Sequence, residues 1–189
     1  ILDDLQNLLN LPQFSIRMSN KELLKEFEHA FEVIKKELKF KASLKELDEV
    51  FFLNDLIAKE CFVSTQLSRM VCRRLLDTLF NYYGYFQSLI LPNPQSMWQV
   101  PESQIFNDQE KSELIKFMDK IMILSTRNLI IGLKKSKSEE GKLIDDCLSF
   151  WNSELNPKLI EIASKSNAMW TKKSVYVHQP KKAESNMFG

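Results

Sequence analysis

Between residues 20 and 40 the apolar side chains Leu23, Leu24, Phe27, Ala30, Phe31, Ile34 and Leu38 recur at three- and four-residue steps. That spacing puts them on one side of a 3.6-residue helix and leaves a charged opposite side, so the segment needs something apolar to lie against. Ser19 followed three residues later by Glu22 reads as a capping box, in which side chain and backbone satisfy each other's free groups. Met18 and Leu23 stand where a hydrophobic staple belongs.

The same grammar repeats along the chain. Ser43 with Glu46 opens a helix carrying Leu44, Leu47, Val50, Phe51 and Leu56. The run Cys61-Phe62-Val63-Ser64-Thr65 is poor in helix formers and predicts a break, with Ser64 or Thr65 capping the next helix. That helix has the stripe Cys72, Leu75, Leu76, Leu79, Tyr83, Phe86 and Ile90. Asn107 with Glu110 opens another, carrying Leu114, Phe117, Met118, Ile121, Met122 and Leu124 and running toward Leu133. Charged Lys134 to Gly141 reads as a loop, and Leu143, Ile144, Cys147, Leu148 and Trp151 as a further helix. Asn156-Pro157 has the form of an N-cap plus first-turn proline, starting a last helix with Leu159, Ile160, Ala163 and Trp170. An N-terminal helix is expected over Ile1–Asn10, on Leu2, Leu5, Leu8 and Leu9. Leu91 to Asn107, with Pro92, Pro94, Pro101 and Trp98, is too apolar for a free linker and reads as an ordered crossover.

Composition agrees with an all-α chain: only 4 Gly and 6 Pro in 189 residues leave little for the turns of a β fold. The expectation is a single all-helical domain over residues 1–171, a bundle of about six to eight helices, followed by an extended or disordered tail over 172–189. Lys and Arg total 26 against 25 Asp and Glu, no footprint for direct nucleic-acid binding. No run is long and apolar enough to cross a membrane. Cys61, Cys72 and Cys147 are odd in number and widely spaced, which reads as buried thiols in an intracellular, reducing compartment. No signal peptide is visible, and with Ile1 as first residue the stretch reads as part of a longer chain whose remaining termini could carry targeting signals.

Catalytic motifs are missing. There is no phosphate-cradling glycine loop, nucleophile elbow, zinc-protease helix or Cys-x-x-Cys. His29 and His178, the two histidines, are far apart in sequence. Glu26-x-x-His29 has the form used in di-iron bundles, but no second such pair follows. Asp145-Asp146 and Glu139-Glu140 read as acids beside helix starts. Arg69, Arg73 and Arg74 with Asp77 read as a solvated charged face. No enzyme and no bound cofactor is expected.

Candidate sites are therefore surfaces. At about 100° per residue, His29, Val33 and Phe40 fall opposite the stripe of Phe27, Phe31, Ile34 and Leu38, among Glu22, Lys25 and Lys36. Apolar residues on a charged face either meet a neighbouring helix or dock a partner. Trp98 either pins the crossover to its own bundle or forms an aromatic wall for a peptide. Leu129, Ile130, Ile131 and Leu133 are apolar on most sides of their helix, as in a core or a dimer interface. Val175-Tyr176-Val177-His178 has the character of a segment that adds to a partner.

In outline, with His29 on its early amphipathic helix, the chain resembles the TRF-homology class of telomere proteins. The resemblance implies an all-helical, homodimeric nuclear module that binds short peptide segments of other proteins. It also implies a bridging role within a shelterin-like telomere-protecting complex, the first two helices serving one partner. One such contact would use a zinc ion shared between His29 and the partner chain. The residues by themselves support a non-enzymatic adaptor or scaffold. Alternatives are a helical carrier or enzyme with an apolar pocket inside the bundle, or a subunit of a vesicle-tethering or cytoskeletal complex.

Overall fold

A computed structural model describes residues 20–56 and 63–177. The expected Ile1–Asn10 helix, the Ser19 cap, Cys61 and His178 lie outside them. Of the described residues 84% are helical and none is in a strand. The order is α1 (Asn20–Leu38), α2 (Leu44–Phe51), α3 (Leu67–Ile90), α4 (Gln99–Gln104), α5 (Asp108–Lys134), α6 (Lys137–Phe150), a π-helical turn (Trp151–Leu155) and α7 (Asn156–Val177).

Helices α3 and α5 form the central pair, with α6 against both and α1 lying on α6. The core takes Phe27 and Phe31 from α1, Leu47 and Phe51 from α2, Leu75, Leu79, Phe86 and Leu89 from α3, Leu114, Ile121 and Ile131 from α5, and Leu143 and Ile144 from α6. The expected Ser43–Glu46 capping box is present, and the expected helix start at Asn107 and Glu110 proves to be a capping box as well. Ser43 accepts from the Glu46 N–H while Glu46 accepts from the Ser43 N–H, and Asn107 and Glu110 do the same. Each ties up donors that a helix start otherwise leaves bare.

Helix ends are less legible, because three of them stop without glycine. Lys39, Phe52 and Lys135 each take a left-handed conformation with φ between 53° and 56°, a turn that glycine usually provides. The expected cap on α3 is replaced by a turn: Ser64 accepts from the Gln66 N–H at 3.1 Å, and α3 starts at Leu67.

The C-terminal third departs most from expectation. Lys135 and Ser136 alone separate α5 from α6, so Gly141 is inside a helix rather than in a loop. From Lys137 to Val177 the backbone is helical throughout, so α7 does begin at Asn156-Pro157, but as a continuation of the π turn: Asn156 is itself helical and is no N-cap. Proline has no N–H to give and its ring crowds the preceding turn. Here the π turn takes up the difference, with the Asn156 N–H donating to the Trp151 carbonyl five residues back. The inserted residue also shifts the phase of α7. Ile162 faces the core, while Ile160, expected there, is exposed. The helix continues past Thr171 to Val177, so residues 172–177 of the expected tail are helical; no glycine or proline interrupts the sequence there. Val175-Tyr176-Val177 belongs to α7.

Polar tertiary contacts brace this arrangement. Asp145 and Asp146 lie in the third turn of α6, not at its start. Asp145 accepts from the backbone N–H groups of Lys41 and Ala42 at 2.9–3.0 Å, and Asp146 pairs with Arg127 of α5. Lys165 of α7 binds Glu110 of α5 at 2.6 Å, and Trp170 donates to Glu102 of α4 at 2.8 Å. Arg69 and Arg74 do not belong to a solvated face. Arg74 donates to the Phe51 carbonyl at 2.8 Å, and Arg69 reaches Glu140 of α6.

Candidate partner-binding site

The three residues expected on the outer face of α1 part company. His29 is exposed and Val33 is 49% exposed, one turn apart on the charged side. Phe40 is buried, and its ring meets Phe31 edge-on at a centroid distance of 5.5 Å. The helical projection fails for Phe40 because α1 ends at Leu38. Lys39 then turns left-handed and swings the chain back over the helix. Phe40 is a core residue, not a docking one. Among the described residues, no three His, Cys, Asp or Glu side chains gather where they could hold a metal. His29 alone offers one of the four ligands that zinc usually takes.

Trp98 is half-exposed at the start of α4, beside Met97, which is 92% exposed. On α5 the expected interface residues also divide. Ile131 is fully buried in the core, whereas Leu129, Ile130 and Leu133 are exposed. The exposed set is wider than the sequence suggested. Ile115, Asp119, Met122, Thr126, Leu129 and Leu133 follow one another at alternating four- and three-residue steps, all exposed and flanked by exposed Ile123 and Ile130. That is the spacing of a coiled-coil seam. Met122, expected in the core, lies on this outer seam. The helix carries Asp108 and Glu110 in its first turn and Lys134 in its last, followed by Lys135 and Lys137.

A groove of about 760 Å³, open to solvent, runs between α3 and the π turn with the start of α7. Its aromatic wall is built from Phe52, Tyr82, Tyr85 and Trp151, with Leu159 and Ile160 along the other side. The Trp151 ring packs on Tyr82 at 5.3 Å and on Phe51 at 6.2 Å. Partial burial raises both tyrosine hydroxyls above the ordinary phenol range, so they remain protonated donors. Arg74 holds the Phe51 carbonyl and so orients the turn that leaves Phe52 57% exposed. The groove has no signature in the sequence: Trp151 reads there as part of a plain core stripe, and the π turn beside the groove has no motif of its own.

An apolar groove and two helix faces are thus among the surfaces that the described residues offer to a ligand. Cys72 and Cys147 are free and buried. Burial, reinforced for Cys72 by Glu140, pushes the Cys72 thiol up to about 12, and burial raises Cys147 further still. No described helix is long and apolar enough to cross a membrane. No protein-family model matches the sequence, and no curated protein or solved structure matches it.

Proposed function

We propose that this chain is a non-enzymatic adaptor that homodimerises through the outer seam of α5 and binds peptide segments of partner proteins. The observation that carries the reading is that seam: eight exposed positions over some five turns, six of them large and apolar, on a helix whose opposite side is the centre of the core. A peripheral helix normally presents a polar outer face. Acids at one end of α5 and bases at the other favour an antiparallel pairing with a second copy, which a two-fold axis closes.

The aromatic groove beside Trp151 supplies the second half of an adaptor, a peptide-sized slot with two phenolic donors. Bridging in a telomere-protecting complex in the nucleus is the named instance of this reading, following the resemblance to the TRF-homology class. In that instance the outer face of α1, with His29 and Val33, takes one partner, and His29 shares a zinc ion with it. A chelator then releases that partner while leaving capture at the groove unchanged.

Light scattering tests the dimer. The chain should be a dimer at tens of micromolar (~10 μM and above), and a Leu129→Asp, Leu133→Asp variant should be a monomer of unchanged helicity. A monomeric wild type at that concentration refutes the seam as a self-interface. Co-purification with cross-linking mass spectrometry tests the adaptor, which requires captured peptides at the groove or on α1.

A further inference from the structure

Every residue lining the groove beside Trp151 is at least partly exposed, Phe52 by 57% and Ile160 by 60%, so a ligand can reach all of them. Only Arg74 among them is charged. From Thr78 to Pro101 the sequence holds no Asp, Glu, Lys, Arg or His, in a chain with 26 basic and 25 acidic residues. That run supplies the α3 wall beyond Arg74, and Asn156, Leu159 and Ile160 on the facing wall are uncharged as well. Arg74 itself is turned onto protein acceptors. Its Nε donates to the Phe51 carbonyl at 2.8 Å, and Nη2 lies 3.5 Å from the Phe52 carbonyl and 3.3 Å from Asp55.

Main-chain pairing is closed to an occupant of this groove. Its walls are helical, and their N–H and C=O groups bond within their own helices. No described residue is in a strand, so there is no sheet edge for a peptide to extend. The rim carbonyls of Phe51 and Phe52 already accept from Arg74. Polar recognition therefore falls to side chains. Asn81, Tyr82 and Asn156 make no side-chain hydrogen bond with the described residues. Together they carry more N–H and O–H donors than carbonyl acceptors.

That polarity selects among peptides. An ordinary extended segment brings an N–H at every residue into a place with few acceptors, and each one covered without a partner weakens binding. An amphipathic helix bonds its own main chain, but it covers the Asn81, Tyr82 and Asn156 donors and gives them nothing. Proline has no N–H to leave unpaired, its carbonyl is a free acceptor, and its ring is flat enough to lie on aromatic faces. A polyproline II segment is also extended before it binds, so little order is lost on docking. We propose that the groove takes an uncharged, proline-rich segment of a partner protein in the polyproline II conformation. Its rings pack on Trp151, Tyr82 and Phe52, and its carbonyls accept from the Tyr82 hydroxyl and the Asn81 and Asn156 amides. The inference rests on the adaptor reading for the presence of a peptide and adds the class of peptide.

The test is a nuclear magnetic resonance titration of the whole 189-residue chain, read at the Trp151 indole N–H and the Asn81 and Asn156 side-chain amides. Three synthetic probes are compared: a short uncharged peptide of prolines interspersed with leucine, the same peptide with alanine for every proline, and an amphipathic helical peptide. The proline peptide should shift the reporters saturably below about 1 mM, the weak end of specific binding. The alanine counterpart and the helical peptide should bind at least about tenfold more weakly. Ile160→Asp changes an exposed residue, so helicity should hold while affinity for the proline peptide falls about tenfold or more. Tyr82→Phe keeps the ring, removes the hydroxyl and should weaken binding about fivefold. The proposal is overturned if the proline peptide does not saturate the groove, if either other probe binds as tightly, or if either variant binds as the wild type does. A helical peptide that fills the groove leaves the adaptor standing and sinks this inference. A monomeric chain that binds the proline peptide does the reverse to the dimer.

Discussion

The Gly141 Cα of α6 passes so near the end of α1 that a side chain there would collide with backbone. A Cβ on Gly141 would sit 2.3 Å from the Leu38 carbonyl oxygen. In an open helix, Gly→Ala gains up to about 1 kcal/mol from propensity. Here the colliding atom is a carbonyl that cannot rotate away, so Gly141→Ala should instead destabilise by about 1–3 kcal/mol. A urea midpoint equal to or above the wild type's would refute the close approach.

Asp145 holds the same junction from the other side. Its carboxylate accepts both the Lys41 and Ala42 N–H groups, on the stretch that follows the left-handed Lys39. Asp145→Ala leaves those donors without their charged acceptor and should cost about 1.5–3 kcal/mol. Asp145→Asn keeps an acceptor oxygen and should lose less. Hydrogen exchange of the Lys41 and Ala42 amides reads the effect directly, and unchanged protection in Asp145→Ala would contradict it.

Phe40 and Val33 should behave as opposites. Phe40→Ala removes a buried ring stacked edge-on against Phe31 and should cost about 3–5 kcal/mol. Val33→Asp, on the exposed face, should change stability by about 0.5 kcal/mol or less. Chemical denaturation of the two single variants settles the assignment, and equal losses would return Phe40 to the surface.

Cys72 and Cys147 should be inert in the folded state. Burial raises both thiols, Cys72 to about 12, so the reactive thiolate is scarce at neutral pH. In a Cys61→Ser background, a thiol reagent at pH 8 should react with neither until denaturant is added. Fast labelling in native buffer would show that the α3–α6 contact opens.

Glu110 links stability to pH. The Lys165 ammonium, then the Asn107 N–H, hold its carboxyl below the ordinary value of 4.5. A carboxyl lowered on folding contributes stability that is fully present above its unfolded pKa and is lost as pH falls through the folded one. Between pH 7 and about pH 5 the Glu110→Gln deficit should therefore be constant. Below pH 4.5 it should shrink as the wild type loses the same contact. A deficit that grows toward acid would reverse the sign and refute the assignment.

Local patterns in the sequence carry most of the helical layout. The three- and four-residue stripes place Phe27, Phe31, Leu75, Leu79, Leu114 and Ile121 in the core, and the Ser43–Glu46 and Asn107–Glu110 boxes mark two helix starts, because both signals depend on neighbours within one turn. The seam on α5 is half legible: Leu129 to Leu133 reads as apolar on most sides, but only packing decides that Ile131 turns inward and Leu133 outward. Three features are tertiary altogether. Phe40 is buried because Lys39 bends left-handed, a conformation its side chain does not announce. Pro157 sits in an unbroken helix because a π turn absorbs one residue, and that turn begins at Trp151, which lines the groove. Glu140 and Arg69, 71 positions apart, meet only when α6 packs on α3. Sequence periodicity determines which face of each helix seeks a neighbour. Which neighbour it meets, and which polar groups are brought together in the interior, depends on how several helices share one core.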